Sequence, residues 1–421
     1  MGPGSLDDLS WQAAFERQIY SSVVVLSPSD ATTIKVNECS WTNPGGPQPR
    51  KGLPLETFIN ITSGPRDWQR ARRTYVRQIL YRVAVPYWLD ESREEGDGYT
   101  YDNVCRRENN QAFPEGVCYL FEHLSSWNNQ AISLQIALQA EDASTEEDSG
   151  EPGSIHVPGT DDMIAPYRAE FLPGYSLLRT SCITSLKFPV LETPETMWYE
   201  SCALDVPCDE NKISLPACLS IASACSTLKN VRLDLEDDIP SDEFNMRAIR
   251  QTAAAKGFHQ LPRTIKDMTL CCSSLQHLHL ESLEVFAELF CSNGLGLPIE
   301  AHWPYLETLQ LKDQVSPFGG MKLVYPVGLI RERYLDRLYT SLGHAAQKMP
   351  SLKSVVLTHS SLDYELELSV KNERWNLNIC VMDTYQPSPE FLAAWKVPGG
   401  SLQPCINKYW RQATYPSWPP S

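Results

Sequence analysis

The chain has 421 residues, of which 42% are hydrophobic, and its formal net charge is −16 at pH 7. This length is enough for two or three globular domains or for one long solenoid. The acidic balance argues against a nucleic-acid partner, because phosphate contacts require a basic surface. We also expect no membrane partner, because no apolar run approaches the ~18 residues of a membrane-spanning helix.

Cysteine usage indicates the cellular compartment. The 13 cysteines are an odd number. No two of them form a Cys-x-x-Cys pair, and no signal peptide opens the chain. Reduced thiols among apolar residues are typical of intracellular proteins. We therefore predict a cytoplasmic or nuclear location.

The N-terminal region, residues 9–140, is predicted to contain three helix–strand units. Residues 1–8 precede it and begin Met-Gly-Pro-Gly-Ser, which is either a natural start or the remnant of a cleaved expression tag. Trp11, Phe15 and Ile19 recur every four residues, which is typical of an apolar stripe on a helix. The predicted helices and strands of this region are Leu9–Tyr20, Val23–Leu26, a helix from Ser63, Leu80–Val85, Asn109–Trp127 and Ile132–Leu138.

The predicted helix from Ser63 carries a basic stripe. Ser63 is a capping residue, and a proline follows in the expected first turn. Spacings of four, three and four residues place on one helical face the side chains of Arg66, Arg70, Arg73 and Arg77. Two interpretations remain open. The stripe is either a solvated face with local carboxylate pairs or a surface that binds an acidic partner.

Residues 141–175 are predicted to be a disordered acidic insertion. The stretch Glu141–Asp162 contains eight acidic residues and almost no large apolar ones. Such a segment cannot bury enough apolar surface to offset the entropy lost on ordering.

A repeated pattern dominates residues 176–396. Apolar residues at offsets zero, three and five recur from Leu228, Leu275, Leu306 and Leu352. Within each copy, the residues at offsets three and five point to one face of a strand, because strand side chains alternate with period two. This is the strand half of a leucine-rich repeat. A further copy starts at Ile265, too close to Leu275 for both to be complete repeats.

The repeat spacing is irregular. The steps between copies are 275 − 228 = 47, 306 − 275 = 31 and 352 − 306 = 46 residues, longer than the roughly 20–29 of a regular leucine-rich repeat. We predict an α/β fold: an irregular leucine-rich-repeat-like solenoid with a curved, mainly parallel sheet and helices on its convex side, followed by a C-terminal tail, residues 397–421. The alternative is four unrelated amphipathic strands in an ordinary α/β domain.

The solenoid interpretation makes a specific prediction about neighbouring strands. Stacked helix–strand units with right-handed crossovers bring equivalent strand positions side by side. Four leucines should therefore lie on adjacent strands of one sheet, namely Leu233, Leu280, Leu311 and Leu357.

A search for catalytic and metal-binding patterns assigns no catalytic, cofactor-binding or metal-ligating residue. The chain has no G-x-S-x-G elbow, P-loop, G-x-G-x-x-G or H-E-x-x-H motif. His277 and His279 share one strand face, but no third ligand has a recognised zinc spacing. Adjacent Cys271 and Cys272 are expected to be half-buried thiols. We therefore expect a protein that is not an enzyme and has no cofactor.

Several stretches resemble filamentous-fungal F-box proteins, in the region that follows their F-box. That region is a domain of unknown function with leucine-rich-repeat character. The matching stretches, in the same order as in the family, are Trp11–Glu16, Arg72–Arg73 before Val76–Val85, Leu120–Trp127, Leu275–Phe290, Trp303–Leu311 and Ala345–Leu352. The F-box opens with Leu-Pro-x-Glu in these proteins and precedes the tryptophan segment. Here Leu53–Glu56 fits that pattern but follows Trp11, so we interpret it as a chance match.

The resemblance implies the substrate-recognition subunit of a Skp–cullin–F-box ubiquitin ligase. Too few residues precede Trp11 for a three-helix F-box, so residues 1–8 are a tag or a truncated F-box remnant, and we expect this chain not to bind the Skp adaptor. The target protein would bind the exposed sheet face, whose candidate residues are Gln276, His277, His279, Glu307, Gln310 and Lys353. The alternative is a stand-alone interaction protein with no ligase role, and a more remote one is an enzyme of unrecognised class.

Overall fold

The computed structural model is mixed α/β and divides into two compact units. Unit 1 is Met1–Thr160 with Ile164–Cys225, and unit 2 is Asp161–Met163 with Ser226–Ser421. The structure describes residues 5–28, 52–87, 104–128, 130–142, 168–188, 212–234, 274–281, 290–292, 297–298, 303–313, 327–359, 365–371, 374–380, 386–404 and 410–419. The predictions for residues 143–162 and for the copy from Ile265 lie outside these ranges.

Unit 1 alternates helices and strands. Its helices are α1 (Ser5–Tyr20), α2 (Leu55–Ser63), α3 (Asp67–Tyr75), α4 (Val104–Ser125) and α5 (Leu215–Ser223). Its strands are β1 (Ser22–Leu26), β2 (Leu53–Pro54), β3 (Gln78–Tyr87), β4 (Ile132–Asp142), β5 (Arg168–Ala169), β6 (Ile183–Phe188) and β7 (Lys212–Ile213). The helix before β1 and the strands β1, β3 and β4 are confirmed where the sequence predicted them.

The main sheet of unit 1 is parallel. Its strand order is β2-β1-β3-β4-β6. Alternate residues of the central strands are buried, so Ile79 pairs with Leu134 and Tyr81 with Ile136 on the core side. Helix α4 covers this side, and the Tyr81 hydroxyl donates to the carbonyl of Gly116. A Cβ at Gly116 would lie 2.8 Å from Cγ1 of Val83, so glycine permits the close approach of α4 to β3.

The predicted helix after Ser63 is present as α3, but its predicted start is wrong. It begins after Arg66 rather than at Ser63, and Ser63 is the last residue of a separate helix, α2. Gly64 is extended and Pro65 cannot continue the hydrogen-bonded ladder of α2, so the chain turns here. The Gln69 side chain stabilises this turn, because its oxygen accepts from the backbone N–H of Arg66 at 3.0 Å and its nitrogen donates to the carbonyl of Asn60 at 2.6 Å.

The apolar stripe of α1 is exposed to solvent. Trp11, Phe15 and Ile19 are 76%, 68% and 44% exposed. Helix α1 contacts α3 through its other side, where the Glu16 carboxylate pairs with Arg72 at 2.7 Å. The helical period is therefore confirmed, but it does not mark a buried face.

Residues 168–175, assigned to the acidic insertion, include ordered structure. Strand β5 pairs in parallel with β7, and Ala169 is fully buried. The predicted disordered insertion therefore does not extend through residues 168–175.

Unit 2 contains the strands that carry the recurring sequence pattern. Its strands are β8 (Asn230–Asp234), β9 (His277–Glu281), β10 (Cys291–Ser292), β11 (Leu297–Pro298), β12 (Thr308–Asp313), β13 (Ser354–His359), β14 (Glu365–Lys371), β15 (Arg374–Cys380), β16 (Gln403–Pro404) and β17 (Trp410–Tyr415). Its helices are α6 (Val327–Ala346), α7 (Pro389–Ala394) and a 3₁₀ turn, Pro398–Gly400. Among the described residues of the whole chain, no helix combines the length and apolarity needed to cross a membrane.

The four-leucine prediction is confirmed. Strands β8, β9, β12 and β13 are adjacent and parallel. Leu280 pairs with Leu233 on one side and Leu311 on the other, and Leu311 pairs with Leu357. All four side chains are buried. Equivalent positions of the sequence pattern therefore occupy equivalent positions of the sheet.

The sheet of unit 2 is not mainly parallel beyond β13. The strands β14, β15, β17 and β16 add in antiparallel pairs. Five residues separate β13 from β14 and two separate β14 from β15, whereas a parallel crossover needs about a dozen or more. Residues 410–415, expected in a C-terminal tail, form β17 and pair with β15 because their alternate side chains complete the core at Ala413 and Tyr415.

Candidate functional site

Two rows of polar residues cross seven strands of unit 2. The first row is Asn230, His277, Thr308, Ser354, Ser369, Asn376 and Thr414. The second row is Arg232, His279, Gln310, Val356, Glu367, Asn378 and Gln412. Of these 14 positions only Val356 is apolar. We call these two rows the polar face.

The polar face results from strict alternation along each strand. Residues between the two rows point to the opposite side, where Val231, Leu278, Leu309 and Val355 are buried. On the polar face the side chains are half-buried or exposed. A hydrophobic core on one side thus positions a broad, continuous polar surface on the other.

Hydrogen bonds within and between strands hold several of these side chains in place. The His277 Nδ1 and Thr308 Oγ1 atoms are 2.7 Å apart. The Glu367 carboxylate accepts from Ser369 Oγ at 2.7 Å and from Asn378 Nδ2 at 3.2 Å. Side chains that are already ordered lose less entropy on binding, so the polar face is partly preorganised for a partner.

Three of the six predicted contact residues lie on the polar face: His277, His279 and Gln310. The other three precede β9, β12 and β13, and they alternate in sequence with the positions of the polar face. They are Gln276, Glu307 and Lys353.

Glu307 and Lys353 form an ion pair at the entry edge of the sheet. Lys353 Nζ lies 2.6 Å from Glu307 Oε2, and this hydrogen bond lowers the pKa of Glu307. These two residues therefore join neighbouring strand entries.

Sequence reasoning identified only three of the 14 positions of the polar face. Glu367, Asn378 and Gln412 lie on antiparallel strands that carry no zero, three, five pattern. The signal that was available is the alternation of Glu365–Lys371, in which Glu-Leu-Glu-Leu predicts a strand with one polar side.

The two strand histidines lack the surroundings of a metal centre in the described part of the chain. No group of three or more His, Cys, Asp or Glu side chains in these ranges is arranged to hold a metal ion. The described cysteines that are free thiols are Cys118, Cys182, Cys218, Cys225 and Cys380. Burial raises the pKa of Cys182, which disfavours the nucleophilic thiolate.

A second cluster of polar and aromatic side chains lies inside unit 1. His123 Nε2 is 3.2 Å from Thr62 Oγ1, and the imidazole packs edge-on against Phe58 and Trp127. Arg73 covers Trp127, with Cζ 5.0 Å from a ring centroid, and donates to the carbonyl of Ser126 at 2.6 Å. These contacts join the ends of α2, α3 and α4, so the cluster has a structural role.

This cluster predicts a pH dependence of stability. Burial, and secondly the charge of Arg73, lowers the pKa of His123 from 6.5 to about 4. The unfolded chain therefore binds a proton that the folded chain does not. The contribution of His123 to the free energy of unfolding should be constant above pH 6.5 and should fall as the pH drops from 6.5 to about 4.

Urea unfolding at a series of pH values tests this expectation. His123→Gln should remove this part of the decline, because glutamine retains a hydrogen-bonding side chain that does not titrate. His344→Gln, at an exposed position of α6, is the matched control and should keep the wild-type profile. An identical profile for His123→Gln and wild type would contradict the prediction.

Comparisons with protein-family models, with curated proteins and with solved structures find no match to this chain.

Proposed function

We propose that the chain is a non-enzymatic, cytoplasmic or nuclear scaffold that binds a target protein through the polar face. The observation that carries this proposal is the registered pair of polar rows across seven strands. A broad, varied polar surface with preorganised hydrogen-bonding groups suits recognition of another protein surface. Its polar composition does not suit a small ligand, which requires a mostly apolar pocket.

The finer architecture that we propose is an irregular leucine-rich-repeat-like solenoid with a curved sheet and helices on its convex side. The strand entries support it. Leu228, Leu275, Leu306 and Leu352 are buried at the same place before β8, β9, β12 and β13. The backbone N–H groups of Gln276, Glu307 and Lys353 each donate to a carbonyl of the preceding entry, at Lys229, Gln276 and Glu307. Such repetition is typical of stacked, structurally equivalent units.

The role that we infer is that of the substrate-recognition region of an F-box subunit of a ubiquitin ligase. Two of the family-like stretches support this, because Trp303 and Met349 are both buried at corresponding strand entries. The alternative is a stand-alone interaction protein. A pull-down with purified Skp adaptor tests the expectation that this chain does not bind the adaptor itself, and stoichiometric capture by the chain would contradict that expectation.

Gln310→Arg tests the use of the polar face. Gln310 is an exposed residue of β12 near the middle of the second row. An arginine there should block a docked partner without disturbing the core. We expect the specific partners captured with the wild-type chain to be reduced about tenfold or more, equivalent to about 1.4 kcal/mol of binding free energy. Quantitative affinity purification followed by mass spectrometry gives the measurement.

The matched control is His344→Arg, which adds the same charge at an exposed position of α6. It should leave the captured set unchanged. Equal capture by wild type, Gln310→Arg and His344→Arg would show that the polar face is not the binding surface.

A further inference from the structure

A basic surface with exposed aromatic rings lies on α1 and α3 of unit 1. Its exposed residues are Arg17, Arg66, Trp68, Arg70 and Arg77, with half-buried Tyr75 between them. We call these six residues the basic–aromatic surface. It lies in a different unit from the polar face and contributes nothing to the function proposed above.

Aromatic rings position the guanidinium groups. Arg17 Cζ lies 5.5 Å from the Tyr75 ring centroid, and Arg66 Cζ lies 5.9 Å from that of Trp68. Arg72 lies over the same Trp68 ring at 4.3 Å. Helix α3 has nine residues, so the surface extends about 13 Å along it at about 1.5 Å per residue.

Four arginines of this surface have no carboxylate partner. Arg70 donates to the carbonyl of Pro65 at 3.2 Å, and Arg77 donates to the carbonyl of Thr74 at 2.8 Å. Arg17 contacts the Tyr75 ring, and Arg66 contacts the Trp68 ring and the turn that begins α3. Within the described ranges, no Asp or Glu side chain lies within 4.0 Å of these four guanidinium groups.

The neighbouring Arg72, in contrast, has a carboxylate partner. Its guanidinium makes two hydrogen bonds to the Glu16 carboxylate, at 2.7 and 3.3 Å. This pairing lowers the pKa of Glu16 and raises that of Arg72. The same helix pair therefore contains one satisfied arginine beside four that retain free donor capacity, on a chain whose net charge is −16.

We propose that the basic–aromatic surface docks an acidic peptide segment of a partner protein. Guanidinium groups bind carboxylates with two parallel hydrogen bonds, and these charged bonds are stronger than neutral ones. The rings restrict the arginines and give apolar surface for the peptide between its charges. Local charge complementarity favours this occupant, because the four guanidinium groups have no carboxylate partner among the described residues and can bind carboxylates of a peptide.

Fluorescence anisotropy with a labelled peptide tests the proposal. The probe is a peptide of about eight residues with repeating Glu-Glu-Leu, long enough to cross the surface at about 3.3 Å per residue. The Gln-Gln-Leu peptide of equal length is its uncharged counterpart. We expect saturable binding of the acidic peptide only, weakened by salt because the charges are exposed.

The double variant Arg66→Gln/Arg70→Gln should weaken binding of the acidic peptide about tenfold or more, since two charged hydrogen-bond donors are removed. Arg66→Gln/Arg374→Gln should lose less, because Arg374 is an exposed arginine of unit 2 and contributes only to net charge. Both variants change charge equally, and unchanged circular dichroism and melting temperature establish that both fold.

Two results would overturn the proposal. One is an equal loss of binding in the two double variants, which would indicate a general charge effect. The other is retention on phosphatidylserine-containing vesicles without binding of the acidic peptide, which would identify a membrane surface instead. Neither result bears on the polar face, so this test is independent of the proposed function.

Discussion

Leu309→Ala should lower the free energy of unfolding by about 2–5 kcal/mol, as is usual for a buried leucine. Leu309 is 1% exposed and lies on β12 between Leu278 of β9 and Val355 of β13. Its side chain therefore packs into the core beneath the sheet, with a buried neighbour on each adjacent strand. Truncation removes apolar burial and leaves a cavity that regular strands cannot close without moving their backbone hydrogen bonds.

Equilibrium urea unfolding of the purified chain gives the measurement, with fluorescence and circular dichroism as two probes, because two units need not unfold together. Gln310→Ala is the matched control. It changes the next residue of the same strand, whose side chain is exposed, and should alter stability by less than about 0.5 kcal/mol. A larger effect of Gln310→Ala than of Leu309→Ala would mean that the assigned faces of β12 are reversed, and equal effects would also contradict the assignment.

The repeated part of the sheet could be predicted from the sequence because its signal is local. The zero, three, five offsets place two apolar residues on one side of each strand, and every copy has a similar entry. Leu233, Leu280, Leu311 and Leu357 consequently meet in one register row. Parallel pairing also follows from the long connections between copies, which leave room for a crossover.

The antiparallel half of the sheet could not be predicted from the repeat pattern. Strands β14, β15 and β17 are placed by short connections and by core residues such as Leu377 and Tyr415, which are buried at the far end of the array. Their order depends on which neighbour each strand meets in three dimensions. Local periodicity contains no information about that choice.

Helix α1 shows a second limit of periodicity. The spacing of Trp11, Phe15 and Ile19 correctly indicates a helix, because the helical period brings every fourth residue to one side. It also suggests burial, which depends on what packs against that side. In the structure α1 packs through Glu16 and Tyr20 instead, where Arg72 satisfies the charge and stacks on the ring at 5.1 Å.

Only three of the six predicted contact residues lie on the polar face, for a related reason. To decide whether Gln276 or His277 faces outward, one must know the residue at which the strand begins. A shift of one residue exchanges the two faces. Strand β9 begins at His277, so His277 and His279 face outward together. The basic–aromatic surface depends on more distant contacts still, because α3 begins after Arg66 rather than at Ser63 and Arg73 contacts the ring of Trp127.

Gly343→Val should destabilise unit 2 by about 3 kcal/mol, near the upper end of the usual cost of overpacking. A Cβ at Gly343 of α6 would lie 2.7 Å from Nε1 of Trp395. The indole cannot retreat, because Trp395 is fully buried and donates from Nε1 to the carbonyl of Tyr339 at 2.9 Å. Its own backbone carbonyl also accepts from the Tyr415 hydroxyl at 3.0 Å.

A double-mutant cycle with Trp395→Phe isolates this contact. Phenylalanine lacks the indole nitrogen that the new side chain would meet, so Gly343→Val should cost less in the Trp395→Phe background, with a coupling of about 0.5–3 kcal/mol. His344→Val, next to it on the exposed side of α6, places the same β-branched side chain at an exposed helix position and should cost less than about 1 kcal/mol. The same cost of Gly343→Val in both backgrounds would contradict the argument, since the penalty would then arise from the helix backbone rather than from Trp395.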